Sequence, residues 1–148
     1  MKLRKAKLKD IIKVYLWKNN NISRKMSRNQ NKVKFLEHFV WYLKKLNDKE
    51  SLFLIGIFNN KAFGMVRFDH ILNSDNYFVS INLKPNMRGK GLSKNFLALS
   101  LNCFSNLNKT KLYAEIRNNN TKSIKIFKSV GFVEIKKDDQ FTIYEYII

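Results

Sequence analysis

The stretch 81-INLKPNMRGKGLSKNFL-97 departs from the habits of the rest of this 148-residue chain. It contains the only proline and two of the five glycines, and it continues directly into residues with helical apolar spacing. A glycine turn that opens a helix leaves several backbone N–H groups without partners, beside the positive end of the helix dipole. We therefore expect this turn to hold a phosphate-bearing ligand.

The size and apolar content of the chain are those of one folded domain, residues 1–148, since 45% of its residues are hydrophobic. No apolar run approaches the roughly 20 residues that cross a membrane, and the basic amino terminus lacks the apolar stretch of a signal peptide. The single cysteine, Cys103, excludes an internal disulfide and fits a reducing compartment. We expect a cytoplasmic protein with no membrane partner.

The net charge of +18 invites a nucleic-acid interpretation, because clustered lysines release counterions from a phosphate backbone. The distribution argues against it, since lysines occur in nearly every segment and only Lys2 to Lys9 form a dense run. We therefore treat the charge mostly as background, with a secondary benefit for anionic ligands. Nucleic-acid binding is not favoured.

Apolar periodicity predicts an α/β (α+β) fold with elements in the order β-α-α-β-β-β-α-β-α-β-β. The expected sheet is mixed but mostly antiparallel, with about seven strands flanked by about four helices. The predicted strands are 2–6, 51–58, 62–70, 77–84, 111–117 and a closing antiparallel pair. Residues 19–31 lack a sustained apolar period and are predicted to be a loop with at most a short helical turn.

Residues 32–46 form the clearest amphipathic helix of the sequence. At 100° per residue one side collects Val33, Phe35, Leu36, Phe39, Val40, Tyr42, Leu43 and Leu46. Trp41 falls in the middle of the opposite, charged side, and His38 lies at its border. We expect this helix to bury its apolar side and to present Trp41 and His38 to solvent or to a ligand.

The glycine turn carries Arg88 and Lys90, which add positive charge to its free amides. It matches neither the GxxxxGK phosphate loop nor the GxGxxG dinucleotide fingerprint. From the turn alone, an interpretation in which the glycines only satisfy backbone geometry is about as good as the ligand interpretation.

The arrangement Arg88-x-x-Gly91-x-Ser93 between a strand and a helix resembles the acyl-CoA signature of the GCN5-related N-acetyltransferases (GNAT). That signature has Gln or Arg, then Gly three residues later, then Gly or Ala, so Ser93 is a small departure. The resemblance covers residues 51–137, and includes the 112-LYAEIR-117 strand and the 118-NNNTKSIKIFKSVGF-132 segment. It implies a single GNAT-like domain with acetyl-CoA as cosubstrate.

The resemblance also implies a division of labour along the chain. Residues 51–148 would form the acyl-CoA-binding core, and residues 1–50 would shape the acceptor side. Amides from Gly89 to Ser93 would hold the pyrophosphate, and Asn120 would contact the pantetheine arm or simply cap its helix. The implied cofactor-binding residues are Ile81, Asn82, Leu83, Arg88, Gly89, Lys90, Gly91, Leu92, Ser93, Asn120, Ser123 and Phe127.

The amino-terminal third is similar to one subgroup, which acetylates nucleotide-linked amino-deoxy sugars for bacterial surface glycans of the pseudaminic and legionaminic acid type. The similarity rests on Trp17-x-Asn19, on 23-SRKMS-27 and on Glu37-His38-x-x-Trp41. A sugar ring would stack on Trp41, with diphosphate or hydroxyl groups near the 23–27 loop. The substrate-binding residues expected are Trp17, Asn19, Arg24, Ser27, His38, Trp41 and Ser80.

Acetyl transfer to an amine requires a base and an oxyanion donor. The resemblance places the donor at a backbone N–H near Leu83. His38 is the first candidate base because its ordinary pKa lies near neutral pH, and Glu115 is the second. Phe127 stands where many members have an acid tyrosine, so a water or Tyr113 would substitute, or the thiolate would leave unassisted. We expect no metal.

Two other functions stay open at this point. One is acetylation of protein amino termini or another small amine at the same cofactor site. The other is a basic binding module that keeps the fold without chemistry and binds CoA or RNA. Whether the protein is a monomer or a homodimer, and which sugar it uses, also stays open.

Overall fold

The computed structural model describes residues 1–105 and 110–148. The strands are β1 (Lys2–Lys5), β2 (Leu52–Phe58), β3 (Lys61–His70), β4 (Tyr77–Leu83), β5 (Lys111–Arg117), β6 (Val133–Lys137) and β7 (Phe141–Ile147). The α-helices are α1 (Ile11–Asn19), α2 (Asn21–Lys25), α3 (Phe35–Asn47), α4 (Leu92–Ser105) and α5 (Thr121–Ser129). None of the helices in this described part is long and apolar enough to cross a membrane.

The seven strands form one sheet in the order β1-β2-β3-β4-β5-β7-β6. Every neighbouring pair is antiparallel except β4 and β5, which are parallel. These two strands pair only at Tyr77 with Leu112 and at Phe78 with Tyr113. The sheet is therefore open between them from about residue 79 onward, and the predicted mixed, mostly antiparallel fold is confirmed.

A separate core lies on each face of the sheet. The larger one is covered by α4 and α5 and includes Phe96, Leu97, Leu101 and Phe104 from α4. The smaller core is covered by α1 and α3, and its buried residues are Ile11, Val14, Trp17, Tyr42, Phe53, Ile55 and Met65. The two helices of the smaller core also form one wall of the cleft described below.

The predicted orientation of α3 is wrong. Leu36 and Val40, on the expected buried side, are 72% and 61% exposed, whereas His38, expected to face solvent or a ligand, is 1% exposed. Tyr42 is buried as expected, so the buried side is rotated from the predicted one toward His38. The side of α3 that carries Tyr42 packs inward, where the Tyr42 hydroxyl donates to the Lys7 carbonyl oxygen at 2.8 Å. A buried tyrosine hydroxyl usually has such a partner. The period of a helix shows that one side is apolar, but not which side its neighbours cover.

The predicted loop 19–31 contains the short helix α2, which is the fifth helix where about four were expected. The helix predicted to begin at residue 32 begins at Phe35 instead. Asn19 explains the delay, because its side chain donates to the Val33 carbonyl oxygen and accepts from the Val33 N–H, both at 2.9 Å. This pair of bonds holds Val33 outside the helix and closes the α2 segment against the end of α1.

Candidate active site

A cleft of about 800 Å³ lies where β4 and β5 separate. Two groups of residues line it. We call the first the glycine region, which comprises Gly89, Gly91, Ser93, Asn120 and Ser123. We call the second the cationic region, which comprises Lys18, Arg28, Trp41, Arg67 and Glu115.

The glycine region is built from backbone held in an unusual conformation. Gly89 and Gly91 have φ of +74° and +72°, a region that residues with a Cβ rarely adopt. A Cβ placed on either glycine would meet no atom within 4 Å, so the space in front of the turn is open. Within the described residues, no backbone or side-chain acceptor pairs with the amides from Gly89 to Ser93. These amides fit a pyrophosphate.

Arg88 does not stand free beside this cradle as the sequence suggested. Its guanidinium donates to the Leu83 carbonyl oxygen at 3.0 Å, to Asn20 Oδ1 at 2.9 Å and to Ser23 Oγ at 2.6 Å. A further bond reaches Asn82 Oδ1 at 3.1 Å. Burial lowers the pKa of Arg88. Arg88 therefore ties the glycine turn to α2, and of the remaining turn residues Lys90 is exposed and Leu92 packs against the larger core.

The exposed edge of β4 offers backbone groups to the cleft. Lys84 donates its N–H to the Phe63 carbonyl oxygen on β3 at 2.8 Å. Successive residues of a strand direct their N–H groups to opposite edges, so the Leu83 N–H faces the gap on the β5 side. Ile81 has the same direction as Leu83. The predicted pantetheine and oxyanion positions therefore lie on the unpaired edge of β4.

Helix α5 adds its amino terminus to the cleft. Asn120 caps the helix, since its Oδ1 accepts the Ser123 N–H at 3.3 Å, and both residues line the cleft. Phe127 also lines the cleft, but it is only 2% exposed and packs edge-on against Phe132 with ring centroids 4.9 Å apart. Tyr113, the suggested substitute acid, lies outside the cleft lining and contacts Phe78 at a centroid distance of 6.0 Å. Among the described lining residues, none is a tyrosine.

Trp41 lies in the cationic region, as its position on the charged side of α3 suggested, but its ring already has partners. Lys18 Nζ lies over the ring at 4.6 Å from the centroid, and Arg67 Cζ lies at 4.8 Å. The expected stacking of a sugar on the indole therefore competes with two cations. Burial, and then the neighbouring Arg67 charge, lower the pKa of Lys18.

Glu115 points from β5 into the same region, where Arg28 binds it. Arg28 Nε donates to Glu115 Oε1 at 3.0 Å and a second guanidinium nitrogen donates to Oε2. The Arg28 guanidinium also lies over the Phe141 ring at 4.4 Å. Ser80, on β4, accepts a hydrogen bond from Arg67 at 3.2 Å and lines the cleft.

His38 is the main correction to the predicted site. It is 1% exposed, it lies outside the cleft lining, and its Nε2 donates to the Ile11 carbonyl oxygen at 3.0 Å. Burial lowers the pKa of His38, which keeps the ring neutral near pH 7. A buried imidazole that joins α3 to α1 has no route to an acceptor amine, so we withdraw it as the base.

Three of the other expected substrate-binding residues serve the α2 segment or the core. Trp17 is 4% exposed within the smaller core. Arg24 donates to the carbonyl oxygens of Asn19 and Gln30, each at 3.2 Å. Asn19 is committed to Val33, as described above. Ser27 does line the cleft, although its hydroxyl donates to the Ser23 carbonyl oxygen at 2.8 Å.

Sequence reasoning missed Lys18, Arg28 and Arg67. Lysine and arginine are so frequent here that no single one stands out, and Arg67 lies inside the strand AFGMVRFDH, where a structural role is the ordinary expectation. The one usable signal was a cation within a buried strand, which needs a partner or a ligand. Within the described residues, no group of three or more His, Cys, Asp or Glu side chains could hold a metal.

The fold and the cleft agree with the acyl-CoA-binding domain that the sequence resembles, and comparison with known proteins gives the same family. Residues 1–133 match the acetyltransferase (GNAT) domain family. The chain belongs to this family of acetyltransferase domains.

Three individual relatives have low sequence identity to this chain, between 20% and 29%. An uncharacterized protein of Methanocaldococcus jannaschii is 29% identical over 131 residues, which are 86% of this chain and 27% of that protein. The chain thus spans about a quarter of the length of the curated relative that it matches. A crystal structure of a domain from the same organism is 27% identical, with a TM-score of 0.84 over 99% of this chain and 97% of that one.

A third relative shares the fold alone. The spermidine N-acetyltransferase from Vibrio cholerae, solved with CoA and spermine, has a TM-score of 0.84 at 20% identity. The alignment covers 99% of this chain and 94% of that one.

Proposed function

We propose that the chain transfers the acetyl group of acetyl-CoA to the amine of a nucleotide-activated amino-deoxy sugar, of the kind used in bacterial surface glycans. The charge of the cleft wall is the observation that supports this acceptor. Lys18, Arg28 and Arg67 face the cleft, and Glu115 is the one acidic residue in its described lining. A wall of this sign attracts a diphosphate.

The same charges disfavour other acceptors of this family. The Vibrio cholerae relative is a spermidine N-acetyltransferase, and spermidine is a polycation. Cations in the cleft would repel a polyamine, and they would also repel basic peptides such as the amino termini of ribosomal proteins. The charge pattern therefore favours a phosphate-bearing acceptor over a polyamine or a basic peptide.

Glu115 is the base in this proposal. It accepts the proton of the acceptor amine, either directly or through one water, while the amine nitrogen bonds to the acetyl carbon and the carbon–sulfur bond breaks. Arg28 holds the carboxylate in the meantime, and its side chain is 66% exposed and free to move aside. An acceptor phosphate that draws Arg28 away would uncover Glu115 only when substrate is present.

The remaining steps use backbone and cofactor chemistry. The Leu83 N–H, on the open edge of β4, donates to the developing oxyanion. Since Phe127 cannot donate a proton, sulfur leaves as a thiolate, which a thiol pKa of about 8.5 permits without an acid. Acetyl-CoA supplies only the activated acetyl group, and the chain supplies its binding, orientation and charge.

The test is a substrate panel. The protein and acetyl-CoA are incubated with UDP-, CMP- and GDP-linked amino sugars, and in parallel with free amino sugars, spermidine and basic peptides. Release of free thiol and the mass of the product report transfer. We expect turnover with a nucleotide-linked sugar and little with its free sugar. Turnover of peptides or spermidine alone would defeat the proposal.

A second measurement addresses the non-catalytic alternative. CoA should raise the melting temperature of the protein, because a ligand that binds only the native state stabilises it. RNA binding that weakens steeply with salt, together with no stabilisation by CoA, would favour a basic binding module instead.

A further inference from the structure

Lys18, Trp41 and Arg67 form a compact cluster in the cationic region that the steps above do not use. The two cations approach the indole at 4.6 Å and 4.8 Å from its centroid. One cation over a tryptophan contributes about 0.5 to 2 kcal/mol. A second cation beside the first adds repulsion, so packing of Trp41 alone does not account for the pair.

Arg67 is incompletely paired although it lies deep in the cleft wall. Its side chain is 18% exposed, and one guanidinium nitrogen donates to Ser80 Oγ at 3.2 Å and lies 3.3 Å from Asp69 Oδ2. Its Nε is buried and has no hydrogen-bond partner in the described part of the chain. A buried donor without a partner costs about 1 to 3 kcal/mol, unless a ligand supplies the acceptor.

The local charges do not balance. Asp69 is the carboxylate nearest to Arg67, but Lys45 also binds it at 2.7 Å. Lys45 also lies 3.8 Å from Asp48. Lys18, Lys45 and Arg67 thus face the two carboxylates of Asp48 and Asp69, and one positive charge remains uncompensated. The lowered pKa of Lys18, caused first by burial and then by Arg67, reflects the same excess.

We propose that Lys18 and Arg67, held on either flank of the cluster around Trp41, form a phosphate-binding subsite for the acceptor. The inference deepens the proposed function and rests on it, because it names the group of the nucleotide-linked sugar that is recognised and the side chains that recognise it. It also moves the diphosphate contact away from Arg24 and Ser27, whose polar atoms are committed to the α2 segment.

The donor set favours phosphate over a carboxylate. A guanidinium presents several N–H groups in one plane, an ammonium adds a point charge, and the Ser80 hydroxyl adds a third direction. Donors that converge from three directions suit a tetrahedral oxyanion with two charges.

The first experiment uses Lys18→Met, with Lys13→Met as its control. Lys13 lies on the same helix, it is exposed, and it does not line the cleft. Binding of uridine 5′-diphosphate and of inorganic pyrophosphate is measured by calorimetry on protein saturated with CoA, so that the glycine turn is already filled. We expect Lys18→Met to weaken binding about tenfold or more, and Lys13→Met to change it less than about twofold.

Arg67→Lys is the second variant, because it keeps the positive charge beside Asp69. It should also weaken diphosphate binding, since a lysine cannot reproduce the planar fork. Equal affinities for the Lys18→Met and Lys13→Met proteins would overturn the subsite. So would tighter binding of malonate than of pyrophosphate, which would indicate a carboxylate site.

Different results would contradict the amino-sugar acceptor and the phosphate-binding subsite. If the sugar panel gives no turnover but diphosphate binding depends on Lys18, the subsite stands and the amino-sugar acceptor is wrong. If a nucleotide-linked sugar is acetylated with the same KM by the Lys18→Met and Lys13→Met proteins, the function stands and the subsite is wrong.

Discussion

The glycine region and the cationic region line one cleft but are built in opposite ways. The glycine region takes its main parts from consecutive backbone, residues 88–93, in a conformation that two glycines permit. The cationic region takes side chains from α1, the segment after α2, α3, β3 and β5. Its residues meet only because the sheet and the helices over the smaller core are in place. In our proposal the glycine region binds the cofactor, and the cationic region selects the acceptor.

Replacing the carboxylate of the cationic region should have the largest effect. We expect Glu115→Gln to lower kcat about 10²- to 10⁴-fold, the usual contribution of a positioned base. The KM for acetyl-CoA should stay unchanged, because the glycine region is untouched. Steady-state kinetics with the best acceptor measures both values.

Glu134→Gln is the control for this substitution. Glu134 is exposed on β6, 3.9 Å from Lys128 and outside the cleft lining. It should leave kcat within about twofold, as distant surface changes generally do. If both variants lose activity equally, the chemistry does not reside at Glu115, and the division between the two regions fails.

His38→Ala tests whether His38 stabilises the packing of α3 on α1 rather than taking part in catalysis. The change removes a buried ring and its hydrogen bond to the Ile11 carbonyl oxygen, so the free energy of unfolding should fall by about 2 to 4 kcal/mol. Denaturant titration measures this loss against Leu36→Ala, an exposed change on the same helix that should cost less than about 0.5 kcal/mol. The pH profile of kcat/KM from pH 6 to 9 should not change shape; loss of one limb would restore His38 as the base.

A pair of alanine substitutions separates backbone strain from ligand binding. Gly91→Ala forces a Cβ into a positive-φ position in front of the open cradle, so the KM for acetyl-CoA should rise about tenfold. Gly131→Ala imposes comparable strain at φ +105°, beside the Tyr146 ring at 3.0 Å and outside the cleft lining. It should lower the melting temperature and leave the KM unchanged. An equal rise in KM for both variants would mean that the turn has no special part in cofactor binding.

The smallest effect expected is a pH dependence of acceptor affinity. Burial and the Arg67 charge lower the pKa of Lys18, so this lysine loses its proton at a lower pH than an ordinary lysine, whose pKa is about 10.4. The charged form binds phosphate, and the acceptor KM should therefore rise a few-fold as pH increases toward that lowered pKa. Lys18→Arg keeps its charge throughout and should flatten the profile. A wild-type profile as flat as that of the arginine variant would argue against Lys18 as a phosphate ligand.

Much of the fold could be predicted because its signals are local. The strands follow short apolar runs with turn residues between them, and α5 ends near Gly131 at positive φ, as its sequence indicated. The face that each helix buries could not be predicted. In α3 the exposed Leu36 and Val40 are more apolar than the buried His38, and only the positions of α1 and the sheet explain the choice.

In the candidate site, too, some features could be predicted from the sequence and others could not. The turn and the cap Asn120 lie on the cleft where the sequence placed them, although their ligand contacts stay predictions. Arg88 has the right position but a different task, since its bonds to Asn20 and Ser23 span more than 60 residues of sequence. Contacts between residues so far apart in the chain produce no periodic pattern in a single sequence.

Residues 88–93 form a glycine turn at the start of a helix for reasons that the local sequence contains, because φ preferences and helix termini act within a few residues. The tertiary structure alone decided that Lys18, Arg67 and Trp41 come together and that His38 is buried. Those outcomes depend on packing between elements far apart in the chain, where each side chain's surroundings are set by its neighbours rather than by its own type.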